Sequence, residues 1–131
     1  MSLRLHTILS GAAFSVYALA SGSDCELLSF FEKAERYNAD ELASMFALLE
    51  YVAEHGPPKN KEKSRDVGEG IFEFKAKSLR VCWFYDAGQM IICTHGFGKP
   101  TKKVQDREIK RARELRDTYV NLKVKSLIKV I

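Results

Sequence analysis

The hydrophobic positions of this chain follow two rhythms. Between Leu27 and Ala53 they recur every three or four residues, and from Ile71 to Phe97 they come in short alternating or continuous runs. The first rhythm suits helices that bury one face, and the second suits strands. Leu27, Leu28, Phe31 and Ala34 follow Ser23-x-x-Glu26. That is capping-box spacing, in which Ser and Glu satisfy free N–H groups at a helix start. Asn38 then opens a second predicted helix, with Glu41 three residues on and Leu42, Met45, Phe46, Leu49, Val52 and Ala53 as its apolar stripe. Gly56-Pro57-Pro58 ends it, because glycine takes the left-handed cap and proline cannot continue a helix. Two short helices joined by a tight turn predict a helical hairpin whose stripe packs into the core.

Lys59 to Glu69 is polar, charged and without period, and is expected to be a loop. Three strand-like runs follow: Ile71–Ala76, Leu79–Tyr85 and Met90–Phe97. In the second, Leu79, Val81, Trp83 and Tyr85 share one face, and Arg80, Cys82 and Phe84 the other. Asp86-Ala87-Gly88 turns the chain between the last two runs, so the expected unit is a three-stranded antiparallel meander. A final helix from about Gln105 to Tyr119 would bury Ile109, Ala112, Leu115 and Tyr119. Residues 121–131 fit either a helix extension or one more strand. Near the start, Arg4 and the stretch from Thr7 to Ala20 superficially resemble a secretory leader. Ser10, Gly11, Ser15 and Tyr17 dilute its apolar run, and Ala13–Leu19 reads better as a first strand. The predicted fold is α+β: an N-terminal strand, a helical hairpin, a three-stranded meander and a C-terminal helix.

With 131 residues, the chain is expected to form one domain with its own core. Its net charge is +4, but the part up to Gly56 is acidic and the excess of Lys and Arg lies after Pro58. A basic second half points first to an anionic partner such as nucleic acid, against the plainer reading of solvated surface cations. Cys25, Cys82 and Cys93 are odd in number and include no C-x-x-C pair, so neither a disulfide framework nor a zinc site is suggested. Cys82 and Cys93 lie in apolar strand patterns and read as buried, reduced thiols of a cytoplasmic protein. No stretch is long and apolar enough to span a membrane.

The stretch Gly70-Ile71-Phe72-Glu73-Phe74-Lys75 resembles the Gly-Leu-aromatic-Glu-Leu-Arg hallmark of the RelE/HigB superfamily of toxin–antitoxin ribonucleases. Arg80-Val81-Cys82-Trp83 matches the Arg-Val-x-aromatic of that family's next strand, and His95-Gly96-Phe97 the end of the following one. Phe97, Lys99, Thr101, Lys103, Glu108, Ile109 and Ala112 continue the family pattern in register. The resemblance covers residues 70–112 and is nearest to the phage-derived HigB-like branch. The chain departs from the pattern at Lys75, where the family has Arg, and at Pro100, where it has Lys. Val104-Gln105 stands where the family has Thr-Pro, a helix cap and first-turn proline.

The resemblance implies a RelE-like fold and metal-independent cleavage of mRNA on the ribosome, in which a 2′-hydroxyl attacks the adjacent phosphorus. It implies no cofactor, and as partners ribosome-bound mRNA and a small antitoxin with a helix-turn-helix. Such a reaction needs cations at the developing phosphate charge, and by resemblance Lys75 and Arg80 take that role. His95 is the acid–base candidate, since imidazole titrates near neutrality. Lys99 and Lys103 would hold the RNA backbone, with Lys102 and Arg107 extending the same basic surface. Each residue also has a structural reading. Arg80 could pair with Glu73 across the sheet, His95 could be a core histidine in phase with Ile91 and Cys93, and Trp83 reads as core. A non-catalytic RNA- or ribosome-binding module, or an interaction protein whose basic face meets an acidic partner, fits the same charges.

Overall fold

The computed structural model describes residues 3–98, 101–125 and 127–130. Seven strands and three helices follow in the order β1 (Leu3–Ser10), β2 (Ser15–Ser21), α1 (Glu26–Tyr37), α2 (Ala39–His55), β3 (Ser64–Gly68), β4 (Ile71–Ala76), β5 (Leu79–Asp86), β6 (Met90–Gly98), α3 (Lys102–Val124) and β7 (Ile128–Val130). All seven strands form one sheet in the order β3-β4-β5-β6-β2-β1-β7. The expected meander β4–β5–β6 is present and antiparallel, but it is only the middle of a larger sheet. The pairs β2–β6 and β1–β7 are parallel.

Both faces of the sheet are covered. The α1–α2 hairpin lies on one, burying Leu27, Phe31, Met45, Leu49 and Val52 against Phe74, Val81, Trp83, Ile91 and Cys93. Helix α3 lies on the other, where Ala112 and Tyr119 meet Leu5, Ile71, Cys82, Phe84 and Ile92. Strand alternation sorts β5 between the two cores as its pattern predicts. Burial pushes the thiols of Cys82 and Cys93 well above the ordinary range, so both stay protonated core groups.

Several expectations are corrected. The N-terminal strand is a hairpin, β1–β2, whose second strand is inserted beside β6. The expected loop of residues 59–69 contains β3, which pairs with β4 through Ser64 opposite Phe74 and Arg65 opposite Glu73. Helix α1 begins at Glu26 with Cys25 at its N-cap, so Ser23 forms no capping box. Asn38 precedes α2 but its side chain makes no cap bond, and Glu41 instead accepts a hydrogen bond from the Ser78 hydroxyl. Helix α3 starts three residues earlier than expected, because Thr101 Oγ1 accepts the Val104 N–H at 3.2 Å. Val104 and Gln105 are therefore interior to the helix. The tail does both of the things its pattern allowed, continuing α3 to Val124 and then adding β7. Of the α2 stripe, Leu42, Met45, Leu49, Val52 and Ala53 are buried, whereas Phe46 is only half-buried, 4.9 Å from the Phe31 ring.

Helix α3 is tied to strand turns at its middle and near its C-terminal end. Arg116 donates to the Glu69 carbonyl, and Arg113 reaches the Glu69 carboxylate at 3.1 Å. Gly70 has φ +81°, and a Cβ there would lie 3.0 Å from the Arg116 guanidinium. The left-handed backbone favours glycine here, and an added Cβ would push the Arg116 guanidinium aside by a few tenths of an ångström. Near the C-terminal end, the Tyr119 hydroxyl donates to Asp86 at 2.5 Å, and the Lys123 ammonium donates to the same carboxylate at 2.7 Å. Burial acts to raise the Asp86 pKa, but the hydrogen bonds from Lys123 and Tyr119 outweigh it and hold the carboxyl below its ordinary value.

Candidate functional site

Alternation along β4 puts Ile71, Glu73 and Lys75 on the α3 face, with Phe72, Phe74 and Ala76 toward the hairpin. Register then decides their neighbours. Glu73 stands opposite Cys82 on β5 and Arg65 on β3, and Lys75 stands directly opposite Arg80. Arg65 Nε lies 3.3 Å and Arg80 Nε 3.7 Å from Glu73 Oε1, so the Arg80–Glu73 contact is diagonal. Glu73 is fully buried, and Gln105 of α3 donates to both its oxygens at 3.2 and 3.1 Å. Arg80 Nη1 also donates to the carbonyls of Lys77 (2.5 Å) and Leu79 (3.0 Å), which fixes the guanidinium at the mouth of the β4–β5 turn. Lys75 is half-buried and has no carboxylate within 4 Å among the described residues. Arg65 and Arg80 therefore share one carboxylate, and Lys75 stands opposite Arg80 with no counter-charge of its own within 4 Å among the described residues.

His95 sits elsewhere than its sequence phase implies. The pairing of β5 with β6 runs Cys82 opposite His95 and then Trp83 opposite Cys93, leaving Thr94 as an extra residue. This bulge turns His95 away from Ile91 and Cys93 and onto the α3 face. There it is only 2% exposed, with Nδ1 2.9 Å from Thr94 Oγ1 and Nε2 2.9 Å from Glu108 Oε2. The Glu108 carboxylate lies beside the ring nitrogen but off the line of an aligned hydrogen bond. Burial pushes the imidazole below its ordinary value, against the opposing pull of Glu108. His95 is a core histidine under α3, remote from solvent. Gly96, next to it, faces the hairpin, where a Cβ would collide with the Phe30 ring.

The remaining candidates line the start of α3. Lys102 and Lys103 are exposed, and Lys102 pairs with Asp106 at 3.2 Å. Arg107 is exposed and lies 3.4 Å from Glu108. Lys99 lies outside the described residues. The structure thus brings Lys75 and Arg80 together, buries His95, and sets Lys102, Lys103 and Arg107 on the solvent side of the helix that covers Glu73. Arg65 and Gln105 belong to the cluster but carried no sequence signal. Arg65 lies in a charged stretch without strand alternation, and Gln105 depends on where α3 begins. Among the described residues no three His, Cys, Asp or Glu side chains are grouped to hold a metal ion. No described helix is long and apolar enough to cross a membrane.

No curated protein matches the chain. The family model for the phage-derived protein Gp49-like (DUF891) matches residues 30–117, which run from the middle of α1 into α3 and include Arg65, Glu73, Lys75, Arg80, His95 and Gln105. Over that span, two-thirds of its length, this chain belongs to the phage-derived Gp49-like family.

Proposed function

We propose that the chain is the toxin of a toxin–antitoxin module, a ribosome-dependent, metal-independent mRNA endonuclease of the HigB-like branch. The observation that carries this reading is Lys75 facing Arg80 across β4 and β5. Like charges directly opposite each other destabilise a sheet unless an anion lies between them. Glu73 is held by Arg65, Arg80 and Gln105 and does not reach Lys75 within 4 Å. A phosphate of the RNA backbone is the anion such a pair fits. Membership of a phage-derived family and the motif match over residues 70–112 support the same reading.

In this mechanism the 2′-hydroxyl attacks the neighbouring phosphorus and gives its proton to water, and the 5′-oxygen of the next nucleotide leaves and takes a proton from water. Arg80, preorganised by two carbonyls and Glu73, and Lys75 beside it stabilise the charge that develops on the phosphoryl oxygens. Glu73 acts through Arg80 as a positioning residue. Lys102, Lys103 and Arg107 hold the strand. The ribosome carries the mRNA, and a small helix-turn-helix antitoxin neutralises the protein in the cytoplasm. His95 takes no part in proton transfer, because 2% exposure keeps it from a substrate.

That burial also favours a second reading, a non-catalytic RNA- or ribosome-binding module that kept the basic face. Inducible expression with growth and transcript integrity followed together separates the two. The nuclease reading expects growth arrest with cleaved translated mRNA, relieved by Arg80→Ala. Normal growth with intact transcripts at high protein level would leave the binding module.

A further inference from the structure

The hairpin side of β3, β4 and β5 carries a groove of about 580 Å³ just beyond the end of α2. Phe72, Trp83 and Tyr85 line it, with Pro57, Lys59 and Lys61 along the rim. The rings are ordered among themselves. Phe72 stacks on Trp83 at 4.7 Å and 21°, and Tyr85 stands edge-on to Phe72 at 5.2 Å and to Trp83 at 4.8 Å. Such a cluster normally belongs to a core, and Trp83 is indeed fully buried. Tyr85, however, is 46% exposed and Phe72 half-buried, because α2 stops at His55 and Pro57-Pro58 lead the chain away. The buried Trp83 Nε1–H has no acceptor among the described residues.

The charges beside the rings favour an anion. Neither Lys59 nor Lys61 is within 4 Å of a carboxylate among the described residues. The acid of the groove, Asp66, accepts the Gly68 N–H at 2.8 Å within its own turn. An exposed ring, Tyr85, beside lysines without a carboxylate partner suits a ligand with flat bases and a charged backbone, since bases of any sequence stack on aromatic faces while cations follow the phosphates.

We propose that this groove is a second RNA subsite, in which a base of single-stranded RNA stacks on Tyr85 with its edge against Phe72, and Lys59 and Lys61 hold the flanking phosphates. It lies across the sheet from the Lys75–Arg80 pair, so it would grip the strand without touching the reacting phosphate. The inference rests on the reading of the chain as an RNA-acting protein, not on the cleavage chemistry.

Trp83 is the only tryptophan of the chain and sits in the groove wall, so its fluorescence reports this site. The test uses the full chain and a 2′-O-methyl oligouridylate, which lacks the attacking hydroxyl. Binding is followed by anisotropy of a labelled copy and, separately, by Trp83 emission. Both signals should saturate together. Tyr85→Leu should weaken binding by roughly ten- to a hundredfold, and Tyr85→Phe, which keeps the ring, should retain it. The Lys59→Ala/Lys61→Ala double variant should flatten the log–log salt dependence by about 1.4. Thermal unfolding of each variant checks that the fold persists. Saturating anisotropy with silent Trp83 emission and an unaffected Tyr85→Leu would overturn the groove and keep the RNA reading. Equal loss in Tyr85→Phe and Tyr85→Leu would also overturn it, since stacking would not be the cause. No binding by either signal at low salt would overturn both.

Discussion

Gln105 of α3 donates to both carboxylate oxygens of Glu73, the fully buried acid of β4. This contact joins the helix to the charge cluster on the sheet. The Glu73 carboxylate is thereby met by Gln105, Arg65 and Arg80 together, as a buried charge must be. Removing the acid would leave Arg80, whose side chain is only 16% exposed, without its counter-charge.

Glu73→Ala should therefore cost about 3–5 kcal/mol, the usual penalty for breaking a buried pair from one side. Gln105→Ala should cost about 1.5–3 kcal/mol, the range for hydrogen bonds to a charged group. Urea denaturation followed by circular dichroism measures both. A Glu73→Ala protein as stable as the parent would show that the two arginines do not depend on this carboxylate.

Chemistry and strand binding separate at Arg80 and Lys102. Arg80→Ala should lower single-turnover cleavage on saturating ribosomes by on the order of a hundred- to a thousandfold. Lys102→Ala removes an exposed cation and should mainly weaken binding and flatten its salt dependence, leaving the saturated rate near that of the parent. Because Arg80 also pairs with Glu73, circular dichroism of Arg80→Ala must first show an intact fold. Equal saturated rates for the two variants would remove Arg80 from the chemistry.

Stability should fall with acid in two separate windows. The buried His95 has a lowered pKa, so below its ordinary 6.5 the unfolded chain binds a proton that the folded one refuses. Stability that is full above pH 6.5 is then lost as pH falls below it. His95→Gln should lower stability overall but abolish this slope. Asp86 also has a lowered pKa, and its contribution is full above the ordinary 3.8 and lost as pH falls below that value. Asp86→Asn should flatten only this lower window. Urea midpoints between pH 3 and pH 8 test both, and a parent curve flat through pH 6.5 would contradict a neutral, buried His95.

Packing on the hairpin distinguishes two phenylalanines of one contact. Phe31 is 6% exposed and Phe46 half-buried beside it. Phe31→Ala should cost about 3–5 kcal/mol, as for a buried aromatic, and Phe46→Ala clearly less. Denaturation midpoints that reverse this order would place Phe46 deeper in the core than its exposure indicates.

Helices α1 and α2 and strands β4, β5 and β6 were legible in the sequence, because helical period and strand alternation are relations between residues close along the chain. The two-faced sorting of β5 and the pairing of Arg80 with Glu73 followed from the same alternation. The tertiary structure alone decided the rest. It inserted β2 parallel to β6, added β7 parallel to β1, and drew the charged stretch around Arg65 into the sheet as β3. It also placed the Thr94 bulge that turns His95 under α3, and the earlier start of α3 that carries Gln105 to Glu73. Each depends on backbone hydrogen bonds between distant segments, which leave no period in the local sequence and arise only when the strands and helices pack together.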